Sequence, residues 1–194
     1  GVFGVDGRSG ELRLAVSTIG VGKGIRTPLV RDDRLYYPAN DELYAIDLGS
    51  GGQLWRMTVS SILGGRRAFA GDVRVTSDAG EVDTFPSERS RIYGLDPTDG
   101  TQRWKTTVET DSLVSPVATA PERNLAVLVG RYGTIAAFDT TSGEERWRST
   151  VQRDGNVTGR PLVLEDTVFV PLGRNGLFAY DLVSGERRWS VSER

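Results

Sequence analysis

Residues Leu177 to Trp189 read LFAYDLVSGERRW: an aspartate stands eight residues before a tryptophan, with a turn-forming Ser-Gly between them. The same frame occurs as LYAIDLGSGGQLW (Leu43 to Trp55), IYGLDPTDGTQRW (Ile92 to Trp104) and IAAFDTTSGEERW (Ile135 to Trp147). A fifth copy, VFGVDGRSGELRL (Val2 to Leu14), carries Leu14 in place of tryptophan. A small residue (Gly4, Ala45, Gly94, Ala137, Ala179) precedes each aspartate by two, and a glycine (Gly10, Gly51, Gly100, Gly143, Gly185) follows it by four. Positions 14, 55, 104, 147 and 189 are spaced by 41, 49, 43 and 42 residues. A period in the forties, built from β-type residues, is the signature of propeller blades.

Each repeat divides into four short strands, A to D, with apolar and β-branched runs of four to seven residues punctuated by Gly, Asp, Asn, Ser and Pro. In the third full repeat these are LVSPVATA, NLAVLVG, TIAAFD and ERWRSTV; in the last they are GRPLVLE, TVFVPL, LFAYD and RRWSV. The first full repeat supplies RTPLV, RLYYP, LYAID and QLWRM. Pro28, Pro116 and Pro161 recur at one position of strand A, which places them near the strand start or at a bulge because proline donates no ladder bond. The second full repeat departs from the pattern: Arg67 takes the proline position, and the B-to-C connection swells to residues 78–91. The expected fold is all-β, a propeller of four-stranded antiparallel blades. Residues 1–18 form a half blade and 19–60, 61–109, 110–152 and 153–194 four full ones, within a single propeller segment. Four and a half blades leave a sheet edge to be covered, so the expectation is a segment of a larger seven- or eight-bladed ring, or a ring completed by another chain.

Composition narrows the chemistry. The 194 residues hold 24 basic and 26 acidic side chains in dispersed order, for a net charge of −2, so no overall field attracts nucleic acid or an anionic membrane. No cysteine and no histidine is present, which removes disulfides, thiolate or imidazole zinc sites and Ser-His or Cys-His chemistry from this chain by itself. Only two of the basic residues are lysines, Lys23 and Lys105; a GC-rich coding sequence is one reading of that bias, and an adaptation to salt or heat, disfavoured by the small net charge, is the other. No apolar run is long enough for a membrane-spanning helix, and the first residues carry no signal-peptide pattern.

The frame small-x-Asp-x-x-x-Gly-x-x-x-Trp resembles the tryptophan-docking motif of the PQQ-like (pyrroloquinoline-quinone-like) β-propeller repeats, carried by quinoprotein alcohol dehydrogenases and by BamB-like scaffolds. WD40 repeats would carry Gly-His and end in Trp-Asp, and neither is present. The resemblance covers essentially the whole chain. It implies that Trp55, Trp104, Trp147 and Trp189 pack between blades, with the ring stacked on the glycine-containing turn. An indole suits that task, since it buries a large apolar area and can still donate its N–H. Asp6, Asp47, Asp96, Asp139 and Asp181 end strand C and are expected to accept backbone N–H bonds within the C-to-D turn. A calcium role for them is the alternative, disfavoured because the aspartates lie on separate blades.

Among quinoproteins, many alcohol dehydrogenases hold the quinone against adjacent cysteines with calcium and an aspartate base. This chain has no cysteine pair and no Asp/Glu/Asn cluster beyond the turns. No cofactor is therefore expected, and PQQ with calcium remains the alternative. Candidate partner-binding residues sit on the B-to-C and D-to-A loops, which share one face of a propeller: Asn40, Asp41, Arg66, Arg67, Phe85, Arg131, Tyr132, Arg174 and Asn175. Arg131 and Arg174 occupy equivalent loop positions on consecutive repeats, suited to reading a carboxylate or phosphate together, although solvated turn residues look the same. Phe85 gives the long insertion an apolar tip. Charged residues beside the motif tryptophans (Arg56, Arg103, Lys105, Arg146, Arg148, Arg188) are expected to guard the outer edges against pairing. The functional expectation is a noncatalytic, extracytoplasmic scaffold, periplasmic or at the cell surface as the resemblance implies, that binds a protein or peptide through loops of one face. Fragments of a quinoprotein dehydrogenase and a structural or cell-surface assembly module are the alternatives.

Overall fold

The computed structural model describes residues 2–16, 28–39, 42–58, 67–70, 73–78, 89–109, 117–130, 133–151, 157, 159–172 and 176–192. They form eighteen strands and one 3-10 turn, divided between two compact units. The first unit (Gly1–Ile62 with Thr98–Gly100) contains β1 (Val2–Val5), β2 (Leu12–Val16), β3 (Leu29–Arg31), β4 (Arg34–Ala39), β5 (Glu42–Asp47) and β6 (Gln53–Thr58). The strands β1 and β2 form a two-stranded sheet and β3 to β6 a four-stranded one in sequence order.

The second unit (Leu63–Pro97 with Thr101–Arg194) contains three more four-stranded antiparallel sheets. One is β7 (Arg67–Ala70), β8 (Val73–Asp78), β9 (Arg89–Leu95) and β10 (Gln102–Glu109). The next is β11 (Ala118–Ala120), β12 (Leu125–Val129), β13 (Thr134–Asp139) and β14 (Glu145–Thr150). The last is β15 (Leu162–Leu164), β16 (Thr167–Pro171), β17 (Leu177–Asp181) and β18 (Arg187–Val191). The all-β propeller class of four-stranded blades is the observed one. Two details differ from the sequence expectation. Strand A shrinks to three residues in β3, β11 and β15, with Pro28 and Pro161 just outside the first residue of β3 and β15, because a proline at that place ends the ladder. The B-to-C insertion is shorter than residues 78–91: Asp78 still belongs to β8, and β9 already starts at Arg89, so the connection is 79–88.

Alternation explains how both sheet faces become covered. On β13, Ile135 and Ala137 point to one face, into a cluster with Trp147, Val168, Val170 and Tyr180. Ala136 and Phe138 point to the other, into a cluster with Ile92, Trp104 and Val117. β12 is buried along its whole length, as a strand with apolar layers on both faces must be. In the first unit Leu14 packs with Leu35, Tyr37 and Ile46.

Candidate functional site

The motif turns of Asp6, Asp47, Asp139 and Asp181, between strands C and D, share one construction. The aspartate N–H donates to the carbonyl five residues on (Asp139 to Glu144, Asp181 to Glu186, 2.8 Å each), and the glycine N–H returns to the aspartate carbonyl (Gly143 to Asp139, 2.8 Å). Its Oδ1 accepts the N–H groups two and three residues on: Thr141 and Ser142 at Asp139, and Val183 and Ser184 at Asp181, all within 3.0 Å. A serine three residues after the aspartate adds a further bond, its Oγ accepting the N–H of Glu11, Gly52, Glu144 or Glu186. This serine (Ser9, Ser50, Ser142, Ser184) was legible as a column of the repeat but escaped notice beside the more conspicuous glycine.

The arginine before the tryptophan has a partner that the sequence did not reveal. The ladder slips by one residue at this point, pairing Ala137 with Trp147 but Phe138 with Glu145, so Arg146 is the bulged residue. A bulge re-aims a side chain. Arg146 Nη2 reaches Asp139 Oδ2 at 2.7 Å, Arg103 reaches Asp96 at 2.8 Å, and Arg188 reaches Asp181 at 2.6 Å while also donating to Thr167 Oγ1. These three arginines therefore tie the motif aspartate to strand D. The A-to-B turns are fastened to the same end: the carbonyls of Asp33, Asn124 and Asp166 accept the N–H of Leu48, Thr140 and Leu182, the residue after each motif aspartate.

The tail of each of the first four motifs seats on the glycine turn of the next copy. The Trp104 ring lies against Gly143, and its Nε1 donates to the Thr140 carbonyl at 2.7 Å. Trp147 lies against Gly185 and donates to the Leu182 carbonyl at 2.8 Å. Trp55 lies against Gly100, and Leu14 against Gly51. Thr106, two residues after Trp104, adds a hydroxyl bond to the Gly143 carbonyl. Trp189 differs: it is 44% exposed, touching Phe169 with ring centroids 5.9 Å apart, whereas Trp147 is 9% exposed.

These contacts set the titration of the turn carboxylates. The Ser184 N–H and then the Arg188 guanidinium hold Asp181 well below the ordinary carboxylate range. At Asp139, desolvation pushes upward but is outweighed by Arg146 and the Ser142 and Thr141 N–H groups, so its value is also lowered. Asp47 is lowered by the Ser50 hydroxyl and N–H, and Asp6 by the Ser9 and Arg8 N–H groups. A carboxylate depressed in the native state stabilises the fold above its unfolded value and loses that contribution as pH falls toward the native one. The urea midpoint is therefore expected to fall steadily once pH drops below the unfolded aspartate value of 3.8, and Asp181→Asn is expected to flatten that slope. An unchanged midpoint from pH 6 to pH 3 contradicts it.

Of the loop candidates, Asn40, Asp41, Arg66, Phe85, Arg131, Tyr132, Arg174 and Asn175 lie outside the described residues, and of Arg67 only the backbone, in β7, is described. The roots of two of these loops are defined. Gly130 N–H donates to the Thr134 carbonyl and Gly133 N–H to the Gly130 carbonyl, bracketing 131–132. Leu172 N–H donates to the Gly176 carbonyl, bracketing 173–175, and a Cβ on Gly176 would run into the Val191 carbonyl.

Oδ2 of Asp96, Asp139 and Asp181 is taken by an arginine, Oδ1 of Asp6, Asp47, Asp139 and Asp181 by its own turn, and no three acidic side chains among the described residues converge. No helix among the described residues is long and apolar enough to cross a membrane.

Comparison with known structures gives the fold. BamB from Moraxella catarrhalis superposes with a TM-score of 0.61 at 19% identity, covering 83% of this chain and 50% of that one. Sqt1 from Saccharomyces cerevisiae gives 0.73 at 14% identity, covering 99% and 55%. A europium-containing methanol dehydrogenase gives 0.67 at 14% identity, covering 89% and 41%. The chain thus spans about half the length, or less, of these structures. No curated protein matches it in sequence. The family model described as outer membrane protein assembly factor BamB matches residues 88–194, more than half of the chain, and with the docking turns of Asp96, Asp139 and Asp181 inside that span the chain belongs to this family of PQQ-like repeats.

Proposed function

We propose that the chain is part of a noncatalytic scaffold, working outside the cytoplasm, that holds a protein or peptide partner across the B-to-C and D-to-A loops of one face. The observation that carries this proposal is how the motif carboxylates are used: their oxygens are committed to turns and arginines, so they stiffen the end of the sheets bearing the A-to-B and C-to-D turns. What varies between repeats is the opposite set of loops, rooted by Gly130/Gly133 and Leu172/Gly176. Loops displayed by a rigid support bind without a large ordering cost. A BamB-like family membership favours a protein partner in the cell envelope, since the family model bears the description of an outer membrane protein assembly factor.

A second possibility, a piece of a quinoprotein dehydrogenase, draws on the structural likeness to methanol and quinohemoprotein alcohol dehydrogenases. One experiment separates them. Photo-crosslinkers placed at Arg131 and Arg174, and at Asp32 and Ser184 on the opposite turns, are introduced into the protein in its native cells. A discrete protein adduct from the first pair alone is expected. The double reversal Arg131→Glu/Arg174→Glu is expected to weaken that adduct's complex by about tenfold or more. Equal crosslinking from both ends, or saturable calcium-dependent PQQ binding by the purified chain, overturns the proposal.

A further inference from the structure

We infer that the outer edge of β10 pairs with the same edge of a second copy of this chain, antiparallel and centred on Thr107, joining two four-stranded sheets into one of eight strands. This inference does not rest on the proposed partner-binding loops.

The last strand of each four-stranded sheet is a sheet edge. Blades cover one another through their faces, as the clusters around Trp104 and Trp147 do, so a further blade before or after these residues leaves such an edge free. An open edge is a template for another strand, and proteins blunt it with bulges, prolines or short strands. β6 and β14 are blunted in this way: the ladder slips just before Trp55 and Trp147, and the strand stops three residues after the tryptophan, at Thr58 and Thr150. β10 runs two residues further, to Glu109, and its ladder with β9 is unbroken from Trp104 opposite Gly94 to Glu109 opposite Arg89. Lys105 and Thr107 are exposed on it, and neither proline nor glycine interrupts 105–109. The Lys105 ammonium does not close the edge, since its Nζ sits 5.5 Å from the centroid of the Tyr93 ring on its own sheet.

The direction of the backbone groups fixes the register. Val151 N–H donates to the Gly133 carbonyl, inward across the β13–β14 hairpin. Val108 stands at the same place, four residues after its tryptophan, so its N–H and C=O point to β9, and those of Lys105, Thr107 and Glu109 point away from the sheet. Outward groups on every second residue are what an antiparallel neighbour bonds. Around a two-fold axis at Thr107, Thr107 meets Thr107, and Lys105 meets Glu109 of the second copy, twice by symmetry. Each pair exchanges two N–H···O bonds, and each cationic position stands across from an anionic one, the favourable cross-strand combination. Within its own sheet Glu109 is opposite Arg89, so the carboxylate position falls between two cationic ones. The edge is complementary to itself in hydrogen bonding and in charge, and an isologous contact of this kind closes at a dimer.

The test is sedimentation equilibrium of the full chain over a wide concentration range, with circular dichroism checking that each variant keeps the wild-type spectrum. An equilibrium between monomer and dimer is expected. Thr107→Pro, which removes an outward N–H and leaves the ladder to β9 intact, is expected to weaken it at least ~30-fold. Lys105→Glu and Glu109→Lys each set like charges across the axis twice and are expected to weaken it at least ~10-fold. The exchange Lys105→Glu/Glu109→Lys restores opposite charges and is expected to return the dimerisation constant to within about 3-fold of the wild type. An equimolar mixture of the two single variants is expected to associate as well, because each then faces its opposite. Should Thr107→Pro alter the spectrum, the charge variants decide alone. A monomer at every concentration overturns the inference, as does growth beyond a dimer. Association that survives Thr107→Pro overturns it too, and so do single charge variants that neither the exchange nor the mixture rescues.

Discussion

Trp147→Ala is expected to destabilise the chain by about 3–5 kcal/mol, the range for deleting a buried large aromatic side chain. The chemically identical change Trp189→Ala is expected to cost under about 1 kcal/mol in this chain. Trp147 is buried between Gly185 and the cluster of Val168, Val170 and Tyr180, and its Nε1 satisfies the Leu182 carbonyl. Removing it opens a cavity, and an acceptor at the turn loses its donor. Trp189 leaves little behind, since nearly half of it faces solvent and its described ring partner, Phe169, sits on the same sheet. Urea denaturation followed by circular dichroism measures both. Similar losses at the two positions contradict the description of the docking turn as the source of the stabilisation. A further check is Trp104→Phe, which keeps most of the ring but not the N–H to Thr140, and is expected to fall between them.

The contrast between these tryptophans also shows where sequence reasoning succeeds and where it stops. The repeat was legible because its frame combines residues with separate physical duties: a small residue opposite the ring, an acceptor at the turn, a glycine at the turn's left-handed position and an indole eight residues after the aspartate. Gly94 pairs directly with Trp104, and a Cβ there would lie 2.1 Å from the ring, so the preference for small residues at this column is steric. Strands C and D came out almost residue for residue, as at Thr134–Asp139 and Arg187–Val191. Strand A came out too long because apolar content continues past the point where proline ends the ladder. The aspartate partners of Arg103, Arg146 and Arg188 were not legible because a strict two-residue alternation does not reveal a bulge; the one-residue slip before each tryptophan turns them back to the aspartate. Leu54 stands where that arginine would be in the first full repeat, so the pair is an addition to the motif and not a requirement of it. The loop residues singled out for partner binding carried no comparable signal. A loop arginine obeys no period, and nothing in composition separates a contact from a solvated turn.

Gly185→Ala is expected to cost about 3 kcal/mol or more, and Gly10→Ala only about 1–2 kcal/mol, although both glycines hold the same backbone conformation, φ +73° and +72°. The shared part is the penalty for placing a Cβ on a left-handed residue. What separates them is the neighbour. At Gly185 the added Cβ would stand 2.4 Å from Trp147 Cε3, so the ring must back away from the turn, stretching the Nε1 bond to Leu182 and loosening the Val168 and Tyr180 packing behind it. At Gly10 the same atom meets nothing within 4 Å. The difference between the two substitutions therefore isolates the docking contact from the backbone cost, which a single glycine variant cannot do. In the double variant Gly185→Ala/Trp147→Ala the Cβ no longer has a ring to displace, so the combined loss should fall short of the sum of the single losses by roughly the docking part, on the order of 1–2 kcal/mol. Strict additivity means that Gly185 and Trp147 act independently, and the close approach seen between them contributes nothing to stability.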